Sequence, residues 1–381
     1  MNLFRNNLNI TFLKDLFRRY YFSRSNSISV PSEIQKREFG YMHFDYTMVR
    51  HLSYSNRGEL IATLVKDTPL DVFCSNATYK FPANSLESKG WEGADLIFDL
   101  DLKDLNMSCT SDHSYYVCNQ CSTCYENSVT VCSTCSDRNL SCVSIPCLKC
   151  MNALRDETEQ LIELLKIDFG ISEKNIETYF SGNAGFHIHI IDSPFNDLDS
   201  IARSDIIDYL SGNGLLPESI GVRKSKNDFY IKFPKSGISF GWRKRIATDL
   251  GINSLSISKF AKIVETSGGY NKFKGELDKR ARNLGVLVDP QVTRDVHRIF
   301  RLPGTINGKS SLIKARSTDI DTFKPYESAC VLEDEEVFVK SKLPLKVSLK
   351  GRHFRIRNSI ERLPAYAAAY LISKRLADIV R

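Results

Sequence analysis

Apolar and polar positions alternate along this chain in a few short, well-bounded runs. The segment Ala94-Asp95-Leu96-Ile97-Phe98-Asp99-Leu100-Asp101 is densely apolar and bounded by Trp91-Glu92-Gly93, which predicts a buried strand. Thr178-Tyr179-Phe180-Ser181 reads as a second strand, Gly182-Asn183-Ala184-Gly185 as a turn, and Phe186–Ile191 as the returning strand. Further on, Asp289 precedes Pro290, so its backbone is expected to be extended, at a strand end. Arg294, Arg298 and Arg301 fall at i, i+4 and i+7, which predicts one side of a short helix. After Pro303-Gly304, the dipeptide Asn307-Gly308 signals a hairpin turn.

A length of 381 residues corresponds to two or three folding units at most. With 42% hydrophobic and 25% charged residues the chain has enough apolar mass for a core, which excludes a disordered or collagen-like protein. No stretch approaches the roughly 20 unbroken apolar residues of a membrane helix, so no membrane is expected as a partner. The N-terminus lacks the apolar region of a secretory signal. The formal net charge of +7 is unevenly spread. Gly221–Arg282 carries fifteen Lys/Arg against five Asp/Glu, a local +10, leaving about −3 for the rest. Such a segment is either a solvated Lys-rich surface or a footprint for a phosphate backbone. Arg243, Lys244 and Arg245 are its densest cluster, and Trp242, Phe240, Tyr230 and Tyr270 lie among the charges as candidate stacking residues.

Nine of the eleven cysteines lie between Cys109 and Cys150; Cys74 and Cys330 stand alone and read as small buried hydrophobes. The cluster contains Cys118-x2-Cys121-x2-Cys124, Cys132-x2-Cys135 and Cys147-x2-Cys150, with Cys109, His113 and Cys142 beside them. Each C-x2-C knuckle aims two thiolates at one ion, and two knuckles complete a tetrahedron, so structural Zn2+ is expected rather than disulfides. The economical allocation puts Cys118, Cys121, Cys132 and Cys135 in one site. Cys147 and Cys150 then anchor a second, completed by two of Cys109, His113 and Cys142, while Cys124 can replace a neighbour in either. Four filled positions leave no room for a substrate, so these metals carry no catalytic role.

Strand side chains alternate, so Asp99 and Asp101 point to one side, about 7 Å apart along the chain. Two carboxylates so placed can share a pair of divalent ions for in-line phosphoryl transfer. A strand-end pair that merely faces solvent is the plainer alternative. His187 and His189 share one strand face, with His187 at the turn mouth and His189 read as a hydrogen-bonded sheet residue. Arginine and lysine around Arg301 and Lys309 suit triphosphate chemistry, where the burden is charge neutralisation.

The order of these motifs resembles the archaeo-eukaryotic primase family, specifically the catalytic small subunit of archaeal DNA primase. The residues concerned are Arg37-Glu38-Phe39-Gly40, Asp99-x-Asp101, Cys147-x2-Cys150, Ser181-Gly182-x-x-Gly185-x-His187, Asp289-Pro290-x-Val292-Thr293 and Arg301-Leu302-Pro303-Gly304. The resemblance implies an α/β prim–pol fold with a mixed, largely antiparallel sheet, a zinc-binding insert and a smaller helical subdomain. Expected boundaries are 1–108, 151–198 and 283–381 for the catalytic domain, 109–150 for the cysteine-rich insert and 199–282 for the basic subdomain. It implies that Asp99, Asp101 and Asp289 bind Mg2+ or Mn2+, and that Ser181, Gly182, His187, Arg301 and Lys309 bind the incoming nucleotide. Three departures stand out. Asn183-Ala184 replaces residues often basic in relatives, Asn307 replaces an imidazole, and the cysteine segment is longer than a single knuckle needs.

The function so implied is templated synthesis of short RNA primers on single-stranded DNA from nucleoside triphosphates, with DNA primers from dNTPs left open. A large regulatory subunit with an iron–sulfur cluster is the implied partner, in the cytoplasm of an archaeal cell at the nucleoid. The competing readings are a primase-related repair or translesion polymerase, and a non-catalytic zinc-ribbon DNA-binding protein.

Overall fold

A computed structural model describes residues 6–226, 228–233, 240–252 and 257–380. Lys235 of the basic segment and the first five residues of the N-terminus lie outside the described residues. The chain forms two compact units, one of Met1–Arg155, Glu177–Asp197 and Val296–Arg381, the other of Asp156–Ile176 and Leu198–Asp295. The insert at 109–150 falls within the first unit. The second unit contains the span 199–282 and, beyond it, 156–176 and 283–295.

Two sheets organise the first unit. One runs Ile299–Arg301, Asp71–Tyr79, Arg37–Met42, Met48–Leu52, with Trp91–Ala94 also paired to Asp71–Tyr79, and its pairings are antiparallel. The other runs Ala315–Ser317, Ile176–Phe180, Gly185–Ile190, Leu96–Asp101. Leu96, Phe98 and Leu100 are almost wholly buried on one face and drive the last strand into the core; on the other face Ile97 is buried too, while Asp99 and Asp101 stay half-buried toward the strand's end. The strand is thus covered on both faces at its start and opens on the aspartate face only at its end. The elements around the Gly182–Gly185 turn are a strand, a turn and a returning strand, as the sequence predicts.

The cysteine segment makes a small sheet of its own, with Ser114–Cys118 between Cys124–Tyr125 and Leu140–Ser144. Near the C-terminus, helix Ala365–Ser373 (Ala-Tyr-Ala-Ala-Ala-Tyr-Leu-Ile-Ser) has every residue buried. Alanine gives it high helix propensity and lets neighbouring elements close on all sides. It ends at Lys374 and Arg375, the latter in the left-handed region at φ 63°.

The second unit packs helices Gly241–Asp249, Ile257–Thr266 and Tyr270–Leu284 with the hairpin Val222–Ser225/Asp228–Ile231. Its core includes Trp242, Ile246, Phe260, Val264, Phe273 and Leu277. Trp242 and Tyr270 are therefore core residues and not stacking platforms, whereas Tyr230 and Phe240 are exposed.

Two local expectations are corrected. Only Pro290–Arg294 is helical in the arginine segment, and Ile299–Arg301 is a strand. Pairing of Phe300 with Cys74 across the sheet overrides the i, i+4, i+7 spacing. Asp289 is extended, at φ −71° and ψ 110°, but it caps that short helix rather than ending a strand. Pro290 suits the first helical turn, where its missing N–H costs nothing.

Candidate functional site: a carboxylate strand, a glycine turn and two thiolate groups

Antiparallel pairing sets His187 opposite Asp99 and Gly185 opposite Asp101. A Cβ at Gly185 would stand 2.7 Å from the Leu100 carbonyl oxygen, so only glycine lets the two strands meet here. His187 Nε2 lies 3.4 Å from Asp99 Oδ1, and its Nδ1 is buried with no hydrogen-bond partner among the described residues. Burial, then Lys314, Arg301 and Arg298, hold the His187 pKa well below its ordinary value, so the ring is neutral. Behind it, His189 Nε2 lies 2.9 Å from the Lys314 ammonium. Lys314 is fully buried, and that burial, reinforced by Arg301, pushes its pKa down to about 7. His189 is also held well below its ordinary pKa, by burial and then by Lys314.

Gly182 takes φ +85°, and a Cβ there would stand 3.0 Å from Asn307 Cβ. The turn is stitched to the loop that carries Lys309. Asn307 Nδ2 donates to Ser181 O at 3.2 Å, Ser310 Oγ donates to Gly182 O, and Lys309 N donates to Asn307 Oδ1 at 3.0 Å. Asn307, buried, is thus a scaffold of the turn. Ser181 and Asn183 are half-buried, and Lys309 is exposed.

Arg301 is engaged elsewhere. Its guanidinium pairs with Asp71 and donates to Ile306 O at 3.1 Å, and the same Asp71 Oδ1 accepts from Gly308 N at 2.7 Å. Arg301 and Asp71 therefore shape the Lys309 loop from below. Asp71 and Lys314 were not legible as site residues, because each lies outside any motif and acquires its role from strands distant in sequence.

Asp289 belongs to the second unit, where its Oδ1 accepts from Gln291 N at 2.9 Å. In the basic cluster of that unit, Arg245 is paired with the buried Asp168 at 2.6 Å and lies over the Trp242 ring. Arg243 donates to Ser219 O at 3.1 Å, and Lys244 is exposed. Arg245 is thus a structural cation first, while Lys244 has the freest charge of the three for a phosphate.

The thiolates gather into two groups, each with its ligand atoms within 4.8 Å of one another. Cys118, Cys121, Cys132 and Cys135 form the first, with Cys118–Cys135 at 3.5 Å and Cys121–Cys132 at 3.4 Å. Gln120 N donates to Cys118 Sγ at 3.3 Å, the N–H···S contact that a tight knuckle allows. The second group is Cys109, His113, Cys147 and Cys150. Of the three candidates Cys109, His113 and Cys142, the group takes the first two, and Cys142 is exposed on the outer strand Leu140–Ser144. His113 Nε2 lies 3.2 Å from Cys150 Sγ, while its Nδ1 is oriented by Ser144 Oγ at 3.2 Å. Sulfur spacings of this size are far from the roughly 2 Å of a disulfide and close to the ~3.8 Å edge of a zinc–thiolate tetrahedron. Both donor sets fit Zn2+. Cys124 stands apart, its thiol pushed up to about 11 by burial, and Cys74 and Cys330 are buried as the sequence predicts.

Half-buried carboxylates, a turn of backbone N–H groups and an exposed lysine are donors whose chemistry fits hard divalent ions and phosphate oxygens. The family model described as DNA primase small subunit matches residues 98–318. DNA primase small subunit PriS of Nitrosopumilus maritimus is 39% identical over 98% of this chain and 100% of its own length. The protein of the same name from Cenarchaeum symbiosum is 36% identical over 96% and 97%, and that from Thermoplasma acidophilum 34% over 94% and 97%. The chain belongs to the DNA primase small subunit family, and its largely antiparallel sheets with a cysteine-rich insert are the α/β architecture expected of it. A solved structure, the polymerase domain from Mycobacterium tuberculosis Ligase D in complex with DNA, covers 81% of this chain and 83% of its own at 12% identity and a TM-score of 0.37. Family membership does not rest on that likeness.

Proposed function

We propose that this chain is the catalytic subunit of a DNA primase, making short RNA or DNA primers on single-stranded DNA during replication. The carrying observation is the pair Asp99 and Asp101 on one strand face, with His187 in register beside Asp99. Asp99, Asp101 and Asp289 are the proposed ligands of Mg2+ or Mn2+, which when bound supplies the Lewis acidity for attack of a 3′-hydroxyl on the α-phosphate and departure of pyrophosphate. His187 orients the Asp99 carboxylate through Nε2–H. The Ser181–Gly185 turn offers backbone N–H groups to the phosphates, and Lys309 neutralises their charge. Arg301 acts through Asp71 by holding the Lys309 loop. The two thiolate groups are structural Zn2+ sites. In the second unit, Lys244 with Arg243 holds template or product through phosphate contacts, and a large regulatory subunit carrying an iron–sulfur cluster completes the enzyme.

The test is de novo dinucleotide and primer formation from labelled NTPs and dNTPs on single-stranded DNA, run across a salt series. Asp101→Asn should abolish synthesis, and retention of full activity would sink the assignment. Lys244→Ala should leave dinucleotide formation intact while making template affinity less steeply salt-dependent; an unchanged slope would return that segment to a solvated surface.

A further inference from the structure

The Ser181-Gly182-Asn183-Ala184-Gly185 turn carries no cation of its own. One reaches it from the far end of the chain. Lys374, just past the buried helix Ala365–Ser373, is only 5% exposed, and its ammonium donates to Asn183 Oδ1 at 2.6 Å. Its stem runs along Tyr370, with the ammonium 5.5 Å from the ring centroid. No carboxylate lies within ion-pair distance of it among the described residues; its hydrogen-bond partner is a neutral amide. An enclosed ammonium facing a neutral oxygen is a costly arrangement unless an anion completes it.

The position is held from both sides. Lys374 N donates to Tyr370 O at 3.0 Å. The next residue, Arg375, donates through its guanidinium to Asn119 Oδ1 at 2.7 Å and Cys118 O at 3.0 Å, and its own carbonyl accepts from Lys342 Nζ at 3.2 Å. The ammonium also sits within the electrostatic reach of Lys309, which disfavours its charge, and of Asp101, which favours it; with burial as the larger cause, its pKa falls to about 7. An ammonium bonded to Asn183 thus has both Lys309 and Asp101 within electrostatic range.

We propose that Lys374 is a phosphate-binding residue of the nucleotide site, its ammonium serving the triphosphate of the incoming nucleotide across the Asn183 turn. This rests on the primase reading for the identity of the ligand. The triphosphate's anionic oxygens give Lys374 the counter-charge that the neutral amide does not, and the contact is charge-assisted and shielded from water.

The experiment is calorimetric titration of the full chain with inorganic tripolyphosphate and with ATP, for wild type, Lys374→Met and Lys374→Gln. Methionine keeps the length of the stem against Tyr370. Glutamine is run beside it so that a folding failure of one variant leaves the other to decide. Both neutral variants should bind tripolyphosphate and ATP about tenfold more weakly at low salt, with the gap closing as salt is raised. Unchanged affinity in a folded variant would overturn the inference. So would a loss equal at all salt concentrations, which is the mark of a turn merely distorted. Primer synthesis on single-stranded DNA by wild type separates the two readings. Lys374-dependent triphosphate binding without any synthesis keeps Lys374 as a phosphate ligand and removes the primase. Synthesis with an unchanged nucleotide KM in the variants keeps the primase and removes Lys374.

Discussion

Lys314 shows how much a single residue's chemistry depends on its surroundings. It is a lysine with no motif about it, yet it sits fully buried against His189, over the Tyr179 ring, with Arg301, Asp99, Glu177 and Cys74 in electrostatic range. Its pKa in the folded protein is about 7, against an ordinary 10.5. Between those values the unfolded chain holds a proton that the folded chain has lost, so this residue makes stability rise as pH climbs from 7 toward 10.5. Below pH 7 the folded protein carries the cost of an enclosed charge. Lys314→Met should therefore be at least as stable as wild type at pH 6, and its stability should rise less between pH 7 and 9.5 in urea unfolding. An identical slope in both proteins would refute this; Lys374 titrates in the same direction and accounts for slope that remains. Asp99 and Asp101, by contrast, were readable from sequence, because strand alternation alone puts them on one face.

At the scale of elements, the cysteine segment with its three short strands buries little apolar mass, chiefly Val117 and Ile145 with the thiols of Cys118 and Cys132. Chain entropy of this size needs another source of order, and each structural zinc supplies on the order of 10 kcal/mol. Two zinc ions per chain are expected in protein purified without chelator; elemental analysis finding one or none would defeat the two-site assignment. Chelation should raise amide exchange across residues 118–135 first, while the Leu96–Asp101 strand stays protected. Loss of protection in both at once would mean that the ribbon and the sheet unfold as one. The choice of His113 over Cys142 could not be made from spacing, since the register of Ser114–Cys118 against Leu140–Ser144 decides which side chain faces inward. The arginine segment fails for a related reason: its helical spacing was real, but a sheet partner claimed Ile299–Arg301.

For the molecule as a whole, membership in a small-subunit family predicts a larger partner. A tagged chain expressed in its own cells should recover a second chain with an iron–sulfur absorbance; repeated recovery of this chain alone would count against it. What the sequence by itself determined is what depends on neighbours along the chain: the aspartate strand, the glycine turn, the cysteine knuckles and the family to which their order belongs. These follow from alternation, backbone freedom and ligand spacing, all of which act over a few residues. Only the tertiary structure decided that Arg301 serves Asp71, that Asn307 braces Ser181, that Trp242 lies in a core, and that Lys374 stands behind Asn183. Each of these joins residues distant in sequence, through burial and pairing that no local pattern encodes.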